Sequence, residues 1–445
     1  MPVVFVAPVA LGLALALAAC GGGPEVGATT APPEPSPVGL KLPADLAERI
    51  GTLDVRLGSA PTLAGVLVAA DAPDALAEFT GAEQVARVPT RPENPEEPGA
   101  TTVALGLRCD GTVLAVRTPD PADPADPLAV APYEMGIAGP EGFAPFGPAP
   151  QDGASVFQVD KAWSDADQAV WTHGPELDLF AFTWQMLHAD VATGEVTRLT
   201  TATESLGVRQ LPSFGMWYAP VVAGESVYHS SVLPSPDGAL RWDDGSRWTS
   251  GLVAIPVSGG RARVLADNSR MVATDGEFVV HVHDGALDVA SAQLETGQFE
   301  IVEQRVDADA EVWVSGTLPE RSSVTALALS EELLVWVVSR DEQQDATLLA
   351  LDRATGAVHA VVLGDLLAHP DVDGRRIGWG NWSGNGDPGE YLWDVGAGDS
   401  ADSGPRLIGV NQGASRVRVC GEFVSATAAT PAGTLVDTVV RLPKG

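Results

Sequence analysis

The side chains best suited to chemistry fall in polar, glycine-rich stretches. Trp217 and Tyr218, Trp242 and Trp248, Trp313 and Trp382 lie among Asp237, Asp243, Asp244, Arg247, Asp387 and Glu390. Large aromatic rings in polar loops offer flat faces for stacking on sugar rings or on a partner's side chains. The alternative role for them is to cap loops against sheet edges. Carboxylates could do acid–base work: Asp160 and Asp371 fall on or beside predicted innermost strands. Glycoside hydrolysis needs two carboxyls about 5–10 Å apart across one cleft, a distance the sequence does not contain.

Metal and nucleotide chemistry are poorly served. His281 and His283 are two apart on a predicted strand, hence on one face, and His229 holds the place of His281 counted from its own turn. Zinc takes three or four ligands and the spacing supplies no third, so packing between repeated units is the expectation. The run Asn381, Ser383, Asn385, Gly386, Asp387 starts like a calcium loop, but Leu392 occupies the twelfth position, where a bidentate Glu is needed. Gly384 to Gly389 fits G-x-G-x-x-G, yet a strand follows it instead of a helix, so it reads as plain loop. No Gly-Lys pair, G-x-S-x-G or H-E-x-x-H occurs. Neither metal nor cofactor is expected.

The elements that must position these residues are short strands. From Arg270 to Gln304 the chain reads as strand (Met271 to Thr274), turn, strand (Glu277 to His283), turn, strand (Leu287 to Leu294), turn, strand (Phe299 to Glu303). An up-and-down sheet of this kind has two apolar faces and must stack on copies of itself. The tight turn between the first two strands recurs at Asp110-Gly111, Asp165-Ala166-Asp167, Gly224-Glu225, Asp275-Gly276, Glu331-Glu332, Asp373-Gly374 and Gly421-Glu422, giving seven copies. A second turn, joining the two outer strands, is expected at Ala192-Thr193-Gly194, Ser258-Gly259-Gly260, Glu295-Thr296-Gly297 and Ala354-Thr355-Gly356. The fold class is therefore all-β, a seven-bladed β-propeller over 41–445, with six or eight blades or a β-sandwich as alternatives. The seventh copy lacks a strand; Gln84 to Pro89 is the expected closing segment and Ala64 to Ala70 the second choice.

The N-terminus has a separate role. Val3 to Ala19 is apolar and ends at Leu17-Ala18-Ala19-Cys20, which resembles the lipobox of bacterial lipoproteins. The resemblance implies a signal peptide at 1–19, a diacylglycerol on Cys20 and a location in the cell envelope, outside the cytoplasm. Residues 21–40 are rich in Gly, Pro, Ser and Thr, the composition of a disordered tether, and Leu42 to Ile50 has a weak helical pattern. The outer hairpin Leu252 to Leu265, with Ser235-Pro236-Asp237-Gly238, resembles the repeats of TolB-like and WD40-like bacterial propellers, many of which are non-enzymatic binding platforms.

The formal charge is −33, and lysine occurs only at 41, 161 and 444. The basic stripe required by phosphate backbones is missing, which excludes nucleic acid as a partner. Beside Cys20 the only cysteines are Cys109 and Cys420, each directly before the first turn of its copy, in copies one and seven. Ring closure would make those copies neighbours and let a disulfide staple them; two buried thiols that never meet are the alternative. The expected function is a membrane-anchored binding scaffold for an envelope protein or glycan, and the second expectation is a carbohydrate-active hydrolase or lyase with channel carboxylates.

Overall fold

The structure is a computed structural model and describes residues 38–58, 61–68, 81–89, 100–118, 133–148, 158–174, 184–202, 204, 219–235, 240–241, 247–284, 287–288, 293–294, 297–306, 308–340, 345–363, 366–367, 370–382, 389–396, 404–410, 416–429 and 435–443. It is a seven-bladed β-propeller. Blade one is Thr101–Leu107, Val113–Thr118, Glu134–Gly139 and Gly142–Pro145; blade two is Gln158–Ser164, Gln168–Gly174, Gln185–Asp190 and Val196–Thr201. Blade three is Val221–Ala223, Ser226–Pro234, Arg247–Pro256 and Arg263–Asp267; blade four is Ser269–Thr274, Val279–Asp284, Gln298–Glu303 and Glu311–Thr317. Blade five is Ser322–Leu329, Leu333–Arg340, Asp345–Asp352 and Ala357–Leu363; blade six is Asp371–Asp373, Arg376–Trp382, Gly389–Asp394 and Arg406–Val410. Blade seven takes Arg418–Cys420, Phe423–Ala429 and Leu435–Arg441 from the C-terminal end and its outer strand, Glu83–Pro89, from the N-terminal part.

Each innermost strand contacts the innermost strand of the next blade all the way round, so the ring is closed. All seven expected first turns join first to second strands. At the seam the turn needs glycine for two reasons. Gly111 has a φ of +82°, and a Cβ there would stand 2.7 Å from the Phe423 ring of blade seven.

Packing follows the period-2 alternation of the strands. One apolar cluster fills each space between adjacent blades. Leu114, Trp171 and Leu187 lie between blades one and two, Val170, Val227 and Ile255 between two and three, and Tyr228, Val272 and Val279 between three and four. Val282, Leu334 and Trp336 follow, then Val335, Trp379 and Trp393, then Leu392, Val424 and Val440, and finally Val113, Phe423 and Val439 across the seam. Burial at about 25 cal/mol per Å2 makes these blade interfaces the main source of stability.

The N-terminal segment runs outside the ring before closing it. Thr52–Val55 pairs with the outer strand of blade four, and helix Ala44–Ile50 buries Leu46 and Ile50 between blades four and five. Thr62–Val68 then adds, in parallel, to the outer strand of blade five. Gln84 to Pro89 therefore closes the ring, as expected, while the alternative around Ala64 decorates another blade.

One strand expectation is corrected. Leu287 to Leu294 is no blade strand: Leu287–Asp288 and Gln293–Leu294 form a small separate hairpin, and the third strand is Gln298–Glu303. The turn at 295–297 thus precedes the third strand. Phe299 and Ile301 alternate into the core, giving that segment an apolar face that packs in one cluster with Val280 and Val282, with Ile301 directly opposite Val282. The other three outer turns stand as expected. His229 and His281 do turn to the same side of their sheets: Val227, two residues before His229, packs against blade two, and Val279, two before His281, packs against blade three, so each histidine faces the preceding blade.

Candidate functional site

The innermost strands surround an axial cavity of about 330 Å3, lined by all seven blades, for example at Leu107, Ser164, Val221, Thr274, Leu329, Asp371 and Arg416. Its two ends differ. At the end where first and second strands join, polar groups tie one blade to the next. Arg108 donates to the carbonyls of Asp165 (2.7 Å) and Ala166 (3.1 Å), Ser330 Oγ to Gly374 O (2.6 Å), and Arg353 to Asp275 Oδ2 (2.5 Å). Arg375 donates to Asp352 Oδ2 at 2.6 Å, and the Cys109–Cys420 disulfide sits at the same end with its Cα atoms 4.7 Å apart. The expected pairing of these cysteines is thus present, between blades one and seven.

At the opposite end the first strands begin and the second strands finish. The described strands stop there at Thr201, Pro234, Trp382 and Val410 and resume at Val221, Arg247, Gly389 and Arg418. Blade three reaches furthest, because its second and third strands run 9 and 10 residues and carry the extra pairing of Leu240–Arg241 with Arg247 and Trp248.

The sequence-selected aromatics divide. Trp217, Tyr218 and Trp242 lie outside the described residues. Trp248 and Trp382 belong to strands, not loops, at this open end; Trp248 is half-buried. Trp313 is corrected outright. It is 3% exposed, packs on Phe278 with ring centres 5.8 Å apart and lies under the Arg353 guanidinium, so it belongs to the core of blade four. In sequence it resembles the loop tryptophans because Asp307, Asp309 and Glu311 precede it, a signal that does not register strand alternation.

Ionisable groups gather where blades six and seven meet. Asp373 Oδ2 accepts from Gly421 N–H (2.5 Å), Asp371 Oδ2 from Val419 N–H (3.0 Å) and Glu390 Oε1 from Thr427 N–H (3.1 Å). Three carboxyls of one blade thus hold the backbone of the next. Burial pushes Asp371 up to about 6, against the pull of the Val419 hydrogen bond and Arg418. Burial pushes Glu390 up to about 8, so it is protonated at neutral pH. Glu390, expected in a polar loop, is 2% exposed on strand Gly389–Asp394. Asp160 lies on the innermost strand of blade two, and its side chain is outside the described residues.

Two arginines face these acids. Arg418 is committed to the fold: its Nη1 lies 3.4 Å from Asp437 Oδ1 and its Nη2 donates to Ala104 O of blade one at 2.7 Å. Arg416 also lines the cavity, at the open end, and makes no hydrogen bond or ion pair with a described residue. Burial, then the neighbouring Arg418, lowers its pKa. Sequence reasoning missed both arginines. The signal available was R-x-R on an innermost strand of a chain with few cations.

The histidines are packing residues. Burial lowers His229 to about 4 and His281 to about 3, which keeps both neutral, and His229 meets the Trp184 ring edge-on. No group of three possible metal ligands occurs among the described residues. Also among the described residues, no helix is long and apolar enough to cross a membrane. Cys20, the 384–389 glycine run up to Pro388 and Ser383 to Asp387 of the calcium-like stretch lie outside the described residues, as does Ser235-Pro236-Asp237-Gly238 beyond Ser235.

No family model and no curated protein matches the chain. Similar solved structures include one of two prolyl endopeptidases, at 12% identity and TM-score 0.48, covering 78% of this chain and 51% of that one. An oligogalacturonate lyase in complex with manganese is 11% identical with TM-score 0.46, covering 82% and 98%. The β-propeller domain of the Trilobed protease from Pyrococcus furiosus is 12% identical with TM-score 0.44, covering 77% and 96%. The chain spans about half the length of the prolyl endopeptidase. At these identities the likeness is one of fold.

Proposed function

We propose that this chain is a lipid-anchored binding propeller of the cell envelope that takes a protein or glycan ligand at the open end of its axial cavity. The observation that carries this reading is the contrast between the two ends. The turn end spends its polar groups on ties between blades, whereas the open end has Arg416, the projecting hairpin of blade three and the strand-end tryptophans Trp248 and Trp382. Aromatic residues together with an arginine that no described residue engages are the composition of binding hot spots. Cys20, at the end of the lipobox-like run, would hold the ring at the membrane through residues 21–40.

A hydrolase or lyase is the second reading. It draws on Asp371 and Glu390, whose shifted pKa values suit acid–base work. Against it, both carboxyls already accept main-chain N–H groups of blade seven, which makes them ties between blades.

Detergent-solubilised full-length protein applied to a glycan array and an envelope-protein pull-down should capture a ligand without turning it over. Replacing Trp242, Trp248 and Trp382 with Ala should weaken capture at least about tenfold, with a melting temperature within a few degrees of wild type. Turnover of the captured ligand would instead favour the second reading. For the anchor, labelled palmitate should enter the wild type and not Cys20→Ser, and equal labelling would remove it.

A further inference from the structure

We propose that Arg416 is the contact for the carboxylate group of a small organic acid, or of an acidic sugar residue, seated in the axial cavity. This rests on the reading of the open end as the binding end. The cavity, about 330 Å3, is of the size that holds a small molecule.

The choice of ligand charge follows from the groups around Arg416. From its own blade come Arg418 and Asp437, which pair with each other at 3.4 Å. From blade six come Asp371 and Asp373 on the innermost strand and Glu390 on the third, each bound to a main-chain N–H of blade seven. Arg418 already spends a donor of each terminal nitrogen, on Asp437 and on Ala104 O, and its charge is offset by Asp437. Arg416 has its whole planar fork available among the described residues.

A half-buried guanidinium that no described residue hydrogen-bonds is costly in the free protein, and a ligand that supplies an acceptor recovers that cost. Its fork matches a carboxylate in two parallel hydrogen bonds. A dianionic phosphate fits less well, since Asp371, Asp373 and Asp437 would repel its second charge while Arg416 alone offsets only one. The walls contribute apolar contact from Leu105, Leu107, Leu327 and Leu329 and backbone groups from the free edges of the innermost strands. An acid with a small carbon skeleton or one sugar ring suits that lining; a polymer of many charges does not.

The test is calorimetric titration of full-length protein in detergent at pH 7 with butyrate, lactate and glucuronate, each against its neutral partner: butyramide, lactamide and glucose. At least one acid should bind about tenfold or more tightly than its neutral partner. The aliphatic and sugar arms tell which skeleton the walls accept. Arg416→Gln should abolish the preference for the acid, and Arg416→Lys should keep part of it, since the charge remains and the fork is lost. The wild-type comparison needs no variant, so a misfolded Arg416→Gln would not rescue the idea. Equal binding of acids and neutral partners, or none by ~10 mM, overturns the assignment. If Arg416→Gln and wild type still capture the same neutral ligand from the array, the binding propeller stands and only the carboxylate contact falls. If neither captures anything, both readings fall.

Discussion

Removing the Cys109–Cys420 bond, by reduction or by replacing both cysteines with serine, is expected to lower the denaturant midpoint strongly, by about 2–4 kcal/mol of stability. The bond links positions 311 residues apart, so the unfolded chain loses an unusually large loop's freedom when it is closed. The chain-entropy model gives about 5–6 kcal/mol for a loop of that size, and measured bridges commonly deliver less. The seam has other ties: the Glu83–Pro89 strand, the Arg418 hydrogen bond to Ala104 O and the cluster around Phe423 and Val439. The ring should therefore still close without the bond. Its loss should appear as easier opening between blades one and seven, detectable as faster amide exchange in Thr101–Leu107 and Arg418–Cys420. An unchanged midpoint together with unchanged exchange would show that the non-covalent seam suffices. Two free thiols in non-reducing peptide maps of protein from an oxidising compartment would remove the bond itself.

Glu390→Gln should stabilise the protein at neutral and mildly alkaline pH. Glu390 is buried, and its carboxyl is pushed up to about 8 from 4.5. Below the unfolded value both states hold the proton and the carboxyl contributes no pH dependence. Between pH 4.5 and about 8 the unfolded chain releases the proton while the folded one keeps it, so stability falls as pH rises across that window and levels off above it. The accumulated loss is on the order of 5 kcal/mol. Glutamine keeps an acceptor for Thr427 N–H and has no proton to lose. The difference between variant and wild type should be near zero at pH 4 and grow toward pH 8. Using the difference cancels the many other carboxyls of this acidic chain. A constant difference across that range would show that Glu390 is ionised in the folded state, its charge met by Arg418.

What the sequence determined by itself is what short-range chemistry encodes. Glycine or Asp in tight turns, followed by β-branched strands, marked six of the seven first turns, and the period of that mark located the seventh at Glu331-Glu332 and required a propeller. The missing outer strand of the last copy pointed to Gln84 to Pro89, because an unpaired edge must be covered. The equivalent positions of Cys109 and Cys420 made their pairing a consequence of closure. Tertiary structure alone decided which strand-like segments join the ladder. Leu287 to Leu294 and Gln298–Glu303 carry similar local propensity, and only the packing of Phe299 and Ile301 against the neighbouring blade separates them. It also decided that Trp313 is core and that Glu390 is buried, since a single residue of register turns a side chain to the other face. The cavity and the place of Arg416 in it were beyond sequence reading for the same reason. Whether a guanidinium finds a carboxylate depends on distances between strands of different blades, and no spacing along one chain records those.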